Sequence, residues 1–318
     1  MKLSIQDIAT IQRYDLDTAF RMIREAGFEA VDWNLGLQWD ENGKDRKCWD
    51  RDSIQSGKTV KQNCIFDEDM DQIFCHYDPI LQAIRKNGLS ITQAHAPFHT
   101  YSSKNLPFAD YAAKTYEKVL KLCRYADCPR VVIHGFSKLA DDYGITDRDV
   151  YEANMKMYRA LIPTALETGV MVLLENLFTN CNNRKFSGVC SDPHEAVSYI
   201  DTLNEMAGKE VFGLCFDVGH LNLVRRAIPE YVEILGSRIR ALHIHDNDGD
   251  RDLHQAPFTG TVRWNDFCDS LRRIGYRGDL NLEAYKQTLQ KRCPDEMVMP
   301  SLRFMAQTVD HFRNEILK

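Results

Sequence analysis

The run Val170-Met-Val-Leu-Leu-Glu-Asn176 is apolar until it reaches a glutamate, and Phe212-Gly-Leu-Cys-Phe-Asp217 repeats this pattern with an aspartate. Continuous apolar runs are typical of parallel strands that are covered on both faces. Similar runs recur along the whole chain, at Leu3–Ile5, Ala30–Leu35, Ser90–His95, Arg130–Phe136, Ala241–His245 and Leu280–Ala284. Eight such strands separated by helical patterns predict an α/β fold, a single (β/α)8 TIM barrel.

Helix end signals lie between these runs. Asp15 is placed to cap a helix that Gly27 ends. Asp192-Pro-His-Glu195 combines an N-cap, a proline at the first helical position and a glutamate suited to a capping box. A doubly wound open sheet is the alternative, and the absence of a G-x-G-x-x-G motif after the first strand argues against it. No linker interrupts the pattern, so we predict one domain over residues 1–318.

The composition excludes several classes of protein. The chain has 318 residues, 44% hydrophobic and 27% charged, which excludes wholesale disorder. The net charge of −6 argues against binding nucleic acid through global charge, and no apolar stretch is long enough to span a membrane. The start of the chain lacks the apolar core of a secretory signal, and the ten cysteines form no C-x-x-C pair. We therefore expect a cytoplasmic protein with reduced thiols.

One segment is unusually long for a loop. It covers about residues 37–68, follows the second predicted strand, is largely polar, and carries Trp39 and Trp49. A loop that follows a barrel strand emerges on the face where such barrels hold their active sites. The segment is therefore predicted to form a lid or a substrate wall, or else to be an insertion that serves only as decoration or as an oligomer contact.

Ionisable residues stand at the ends of six successive predicted strands. They are His95, His134, Glu175, Asp217, His245 and Glu283. A carboxylate near a barrel mouth costs several kcal/mol unless it is paired or bound to a metal. Two glutamates, one aspartate and one histidine form an oxygen-rich set that suits one divalent ion, with Mn²⁺ the first expectation and Mg²⁺, Co²⁺ or Zn²⁺ the others.

Two histidines alternate in the seventh strand, so both side chains point into the barrel. His245 is nearer the mouth and is the predicted ligand, whereas His243 is predicted to lie one layer deeper, either in the core or in support of the ligand residues. Asp217 and His220 are three residues apart at a strand end and can reach one pocket from two levels.

These motifs resemble the xylose isomerase-like TIM-barrel superfamily, which contains sugar and sugar phosphate isomerases or epimerases and the endonuclease IV enzymes. The resemblance rests on Leu-Glu-Asn after strand five, Phe-Asp-x-Gly-His after strand six, His-x-His-Asp after strand seven, and Gly260-Thr-Val-Arg-Trp264. Similarity to the ketose 3-epimerases implies a metal held by Glu175, Asp217, His245 and Glu283. It also implies that Glu175 and Glu283 move the α-proton as base and acid, through an enediolate that the metal stabilises.

The same resemblance implies a set of substrate contacts. They are His95, His134, His220, Arg251, Asp252, His254 and Trp39. Cys181 stands where the 3-epimerases carry a second glutamate, which speaks against a simple free-ketose 3-epimerase. The expected substrate is a small carbohydrate or polyol, acted on by a homo-oligomer, with no membrane or nucleic-acid partner.

Two alternatives remain within the resemblance. Endonuclease IV binds three zinc ions through nine ligands, and counterparts are present at His95, His134, Glu175, Asp217, His220, His245, Asp252, His254 and Glu283. An abasic-site DNA endonuclease is therefore one alternative. The other is the catalytic subunit of a C-glycoside deglycosidase, in which His134 or His95 begins the β-elimination of an oxidised sugar and a small partner subunit is usual.

Overall fold

Eight parallel strands form one sheet in the computed structural model, which describes residues 1–39, 45–47, 64–97, 106–137, 144–182, 184–285 and 293–318. The barrel strands are β1 (Leu3–Gln6), β2 (Ala30–Asn34), β5 (Ser90–His95), β6 (Arg130–Val132), β7 (Met171–Glu175), β10 (Phe212–Asp217), β11 (Ile239–His243) and β12 (Leu280–Leu282). Two antiparallel hairpins add β3 (Leu37–Trp39) with β4 (Asp45–Lys47), and β8 (Phe178–Cys181) with β9 (Arg184–Ser187). All eight predicted strands are present.

The sheet closes on itself. Its order is β11-β10-β7-β6-β5-β2-β1-β12, and the remaining gap, between β11 and β12, is bridged just beyond the end of β11. There the Ile244 amide donates to the Asn281 carbonyl at 2.9 Å, and the Glu283 amide donates to the Ile244 carbonyl at 2.9 Å. β1 pairs with β12, and these bonds join the segment after β11 to the other side of β12. The predicted (β/α)8 barrel is therefore confirmed.

Helices cover the outside of the barrel. They are α1 (Ile8–Ile11), α2 (Leu16–Ala26), α3 (Met70–Lys86), α4 (Leu106–Tyr125), α5 (Asp147–Thr168), α6 (Pro193–Ala207), α7 (Val218–Leu223), α8 (Ile228–Leu235), α9 (Trp264–Arg273) and α10 (Asp295–Leu317). Asp15 caps α2 by accepting from the Thr18 amide, and Gly27 ends it in the left-handed region, as predicted.

The predicted capping box of α6 is wrong in one respect. The Asp192 side chain accepts from the amides of His194 and Glu195, as an N-cap should. The Glu195 carboxylate, however, accepts from the Cys190 amide at 2.8 Å instead of the N-cap amide. The Glu195 carboxylate therefore binds the turn before the helix, at Cys190, whose φ is 59°.

The barrel interior changes from apolar to polar along its axis. Its apolar layer consists of Val132, Leu173, Cys215 and Ala241, all buried. The next layer toward the strand ends is polar and also buried, and it includes Asp32, Gln93, His243 and Asn281. Buried polar groups are costly unless they bond to one another. They do so here: Asp32 accepts from Gln93 at 3.1 Å and from Asn281 at 2.8 Å.

The predicted long loop is described only in part. Its start and middle form the β3–β4 hairpin, and residues 65–67 near its end form a short 3-10 helix. The structure does not describe the Trp39 side chain or Trp49, so the proposed lid or substrate wall stays a prediction. Eight described cysteines are free thiols, but Cys64 is disulfide-bonded, so the expectation of fully reduced cysteines is wrong there. No described helix has the length and apolar character to cross a bilayer.

Candidate active site

Three buried carboxylates stand at or just beyond the carboxyl ends of barrel strands. Glu175 ends β7, Asp217 ends β10, and Glu283 follows β12. Because β10 pairs in parallel with β7 and with β11, the strand ends share one rim of the barrel. The apolar runs bury the strands, and the acidic residue at the end of each run therefore projects into the mouth.

Glu175 is surrounded by imidazoles. Its Oε2 lies 2.9 Å from His134 Nε2, while its Oε1 lies 3.2 Å from His220 Nδ1 and 3.3 Å from His243 Nδ1. Burial by itself raises the pKa of this carboxyl group, but the charge of His243 and the hydrogen bond with His134 outweigh burial and hold the pKa well below its usual value. Glu175 is therefore ionised at neutral pH.

Asp217 has both a local and a long-range partner. One carboxylate oxygen accepts from the His220 amide at 2.6 Å and so caps α7. His245 Nε2 lies 3.1 Å from the same carboxylate. Burial raises the pKa of Asp217, and the charges of His220 and His245 more than offset this, so the net pKa is lowered. The Phe-Asp-x-Gly-His motif thus builds a cap and a charged pair in one turn.

A neutral donor from β1 orients the Glu283 carboxylate. Gln6 Nε2 donates to its Oε1 at 2.9 Å. Its other oxygen lies 3.4 Å from His243 Nδ1 and 3.8 Å from His254 Nδ1. The carboxylate is therefore oriented by β1 on one side and by imidazoles on the other.

A further ring of ionisable groups surrounds these acids. His95 and His134 approach each other at 3.1 Å between their Nε2 atoms, and His254 Nε2 lies 2.9 Å from Asp252 Oδ2. Burial lowers the pKa of His254, but the charges of Glu283 and Asp252 raise it to about 9. Burial likewise opposes a charge on His220, yet Asp217 and Glu175 raise its pKa to about 10.

The donor set fits a divalent cation. Among the described residues, the Nδ1 atoms of His243 and His245 are buried and form no hydrogen bond. Possible ligand atoms fall within 4.8 Å of one another in four overlapping groups: Glu175–Asp217–His243, Asp217–His220–His245, His245–His254–Glu283 and His95–His134–Glu175. Carboxylate and imidazole donors suit Mn²⁺, Mg²⁺, Co²⁺ or Zn²⁺. His243, which was predicted to lie in the core or to support the ligand residues, is buried and is the histidine grouped with Glu175 and Asp217.

The comparison with known proteins identifies the family. A family model described as xylose isomerase-like TIM barrel matches residues 20–308. The chain belongs to this family. Its relatives include the uncharacterized protein y4fM of Sinorhizobium fredii, 25% identical over 86% of this chain and 80% of that protein. A putative hydroxypyruvate isomerase of Streptomyces coelicolor is 28% identical over 28% of this chain and 30% of its own length.

Solved structures share the barrel. A D-tagatose 3-epimerase-like protein superposes with a TM-score of 0.70 at 17% identity, and the match covers 100% of both chains. The D-psicose 3-epimerase of Clostridium cellulolyticum H10, solved with D-tagatose, gives a TM-score of 0.68 at 15% identity over 98% of this chain and 99% of that one. At these identities the likeness establishes the fold.

Most predicted site residues of this xylose isomerase-like barrel lie together, but Arg251 does not. Its side chain is 74% exposed and pairs with Asp248 at 2.7 Å, outside the cluster. Asp248 accepts both from the Arg251 amide and from its guanidinium, so the local turn holds the side chain toward solvent. For Trp39 the structure describes only the backbone, in β3.

Three polar residues of the site were not predicted, and one of them is Gln6, which donates to Glu283. Asn176 joins the ends of β7 and β10, donating from Nδ2 to the Asp217 carbonyl and accepting from the Asp217 amide, both at 2.8 Å. Asp32 lies beneath the cluster, 3.2 Å from His243 Nε2. A signal for Asp32 was available, because it is the charged residue inside the apolar run Ala30–Leu35.

Proposed function

We propose that this chain is a divalent-metal-dependent isomerase or epimerase of a sugar, sugar phosphate or polyol, and that it works by proton removal next to a carbonyl group. The observation that carries the proposal is the approach of two carboxylates from separate strands to one buried nitrogen. Glu175 Oε1 and Glu283 Oε2 lie 3.3 Å and 3.4 Å from His243 Nδ1. A pair of this kind suits a reaction in which one carboxylate takes a proton and the other returns it.

The names of similar proteins support the same class. The structural neighbours include a D-tagatose 3-epimerase-like protein and a D-psicose 3-epimerase, and one relative carries the name putative hydroxypyruvate isomerase. All three names describe the rearrangement of a hydroxycarbonyl compound. The acidic and imidazole side chains at the barrel mouth are also suited to bind hydroxyl groups.

Glu175, Asp217, His245 and Glu283 would hold one divalent ion, with Mn²⁺ the first choice. When bound, such an ion supplies a Lewis acid that polarises the oxygens of the substrate. The chain's own part in the reaction is to position the carboxylates: Gln6 orients Glu283, and His134 orients Glu175. One of these two glutamates removes the α-proton and the other delivers it to the opposite face. His95, His134, His220, Asp252 and His254 would contact the substrate.

Metal analysis tests the ligand assignment. We expect Glu175→Gln and Asp217→Asn to purify with little Mn²⁺ after equilibration, whereas Glu210→Gln, which changes an exposed acid paired with Arg240, keeps the full complement. If both site variants retain one equivalent of metal, the assignment fails.

Isotope exchange tests the acid–base assignment. A thermal-shift screen of ketoses, inosose-like polyols, sugar phosphates and oxidised glycosides with Mn²⁺ present first identifies a substrate. We then expect the wild-type protein to exchange the α-hydrogen of that substrate in D₂O and Glu283→Gln to exchange it at least about 100-fold more slowly. Undiminished exchange by Glu283→Gln would remove Glu283 from that role.

One observation favours the deglycosidase alternative. Burial lowers the pKa of His134, which favours the neutral imidazole that a general base requires, and 16% of its side chain is exposed at the mouth. Incubation with a 3-oxo C-glycoside is the discriminating assay: release of the aglycone, abolished by His134→Gln, would favour elimination over epimerisation.

A different observation keeps the endonuclease alternative in view. Eight of the nine counterparts of the zinc ligands come together in overlapping groups at one end of the barrel, and the ninth, Asp252, lies 2.9 Å from His254. Three bound metal ions and efficient nicking of duplex DNA at an abasic site would replace our proposal with this one. A protein that binds a single Mn²⁺ and leaves that DNA intact would exclude it.

A further inference from the structure

Asp246 closes the motif His-x-His-Asp, and the proposed chemistry gives it no part. It is fully buried, and its side chain accepts hydrogen bonds from the segment that follows β11. Its Oδ1 accepts from the amides of Asn247 at 2.9 Å and Val262 at 3.1 Å. Its Oδ2 accepts from the Gly260 amide at 3.0 Å and from Trp264 Nε1 at 3.1 Å.

The backbone of Asp246 closes the neck of the same loop. Its amide donates to the Gln255 carbonyl at 2.8 Å, and the Gln255 amide donates back at 3.0 Å. Residues 247–254 therefore leave and return at one point, and they carry Asp252 and His254 into the mouth of the barrel. The Asp246 side chain also binds the segment that follows this loop, through hydrogen bonds from Gly260, Val262 and Trp264.

Gly260 makes this capture possible. A Cβ atom there would lie 2.3 Å from the Asn247 carbonyl oxygen and 2.4 Å from Asp246 Oδ1, so only glycine allows the two segments to meet. The motifs His-x-His-Asp and Gly-x-x-x-Trp are thus two halves of one contact. The held loop ends at His254, whose ring stacks on His245 at 4.3 Å and whose Nδ1 lies 3.0 Å from the Glu283 carbonyl.

We propose that Asp246 is a positioning residue that clamps residues 247–254 so that Asp252 and His254 stay over the carboxylate cluster. Two neighbouring segments meet in this clamp, since the loop precedes Gln255 and three of the four donors follow it. The clamp itself depends only on hydrogen bonds on one carboxylate. Its consequence for turnover rests on the proposed function.

The variant Asp246→Asn tests the clamp with almost no change of shape. An amide group offers one acceptor oxygen, so in either orientation its NH₂ faces two N–H donors and two of the four bonds are lost. Charge-assisted hydrogen bonds are strong enough that we expect amide hydrogens of residues 247–254 to exchange about 100-fold faster in Asp246→Asn. Asp250→Asn is the matched control, because its side chain lies in the same loop and pairs with the exposed Arg225 side chain at 3.3 Å, and we expect wild-type exchange of the loop in this variant.

A second variant keeps the test decisive if Asp246→Asn does not fold. Trp264→Phe removes one donor and keeps an aromatic ring, and we expect about 10-fold faster exchange of the same loop. Exchange is measured by mass spectrometry on the protein as purified, so the result stands whether or not the proposed reaction is right. With a substrate in hand, we expect Asp246→Asn to lower kcat at unchanged Mn²⁺ content.

Either of two outcomes would overturn the proposal. One is wild-type exchange of the loop in Asp246→Asn and Trp264→Phe. The other is acceleration of β7 and β10 together with the loop, which would make Asp246 a general stability residue. Acceleration confined to residues 247–254 supports the clamp.

Discussion

Replacing Gly219 by alanine displaces His245 without touching its chemistry. A Cβ atom at Gly219 would lie 2.0 Å from Cε1, 2.4 Å from Nδ1 and 2.5 Å from Nε2 of the His245 ring. Ordinary contacts begin near 3.4 Å, so the ring must retreat by about 1.4 Å. Metal–ligand distances tolerate only about 0.2 Å, which removes His245 from any ligand set. We therefore expect Gly219→Ala to weaken Mn²⁺ binding by about 100-fold or more.

The stability change should be much smaller than the loss of metal affinity. Alanine is favoured over glycine in a helix by about 1 kcal/mol, and the displaced ring costs about 1–3 kcal/mol. We expect the metal-free variant to lose no more than about 2 kcal/mol in urea unfolding. Calorimetric titration with Mn²⁺ gives the affinity of each protein.

Gly36→Ala is the matched control. Its Cβ meets Asn34 Oδ1 at 3.4 Å, an ordinary contact, and its backbone needs no positive φ. We expect wild-type Mn²⁺ affinity for this variant. If Gly219→Ala also binds Mn²⁺ as wild type does, His245 is not a ligand, and His243, which is grouped with Glu175 and Asp217, becomes the histidine to test.

Three further predictions concern the groups around the cluster. Gln6→Leu removes the donor that orients Glu283 at 2.9 Å, so we expect about 10-fold slower α-hydrogen exchange in D₂O with Mn²⁺ content retained. Asp32→Ala leaves the buried donors of Gln93, Asn281 and His243 without their acceptor, and we expect the free energy of unfolding in urea to fall by about 3 kcal/mol. An unchanged unfolding midpoint would contradict these contacts. The pKa of His220 is raised to about 10, above its unfolded value, so the stability it adds to the metal-free protein is fully present below about pH 6.5 and is lost as the pH rises through about 10. Thermal unfolding in EDTA should show this decline, and His220→Gln should flatten it.

The sequence was most informative where one chain segment determines the geometry. Glu175 and Asp217 end apolar runs, and parallel strands in a barrel bring their carboxyl ends to one rim. The eight strands and the meeting of these acids could therefore be predicted without any knowledge of side-chain contacts. Asp15 is a local case of the same kind, since a cap depends on residues three positions away.

The sequence was least informative where the partner is distant. Asp32 and His243 are 211 residues apart, and nothing in either segment names the other. Arg251 illustrates a different limit. The resemblance implied that Arg251 contacts the substrate, but the conformation of the turn that carries it decides where the guanidinium points. Here Asp248 holds it in solvent.

Two acids outside the cluster explain how so many imidazoles stay in place around it. Asp32 lies below and engages His243 through Nε2, which leaves Nδ1 facing Glu175 and Glu283. Asp246 lies to the side, and in our proposal it fixes the loop that ends at the His254 ring. The carboxylates that would bind a cation are thus not the ones that organise the site. Asp32 and Asp246 are among the acidic residues behind the net charge of −6, and they support the site without being candidate ligands. A cation bound by the carboxylates at the rim would therefore leave these two acids unchanged. A supporting acid that keeps its hydrogen bonds in the metal-free protein maintains the geometry before the ion arrives, which is the condition for tight binding by preorganised ligands.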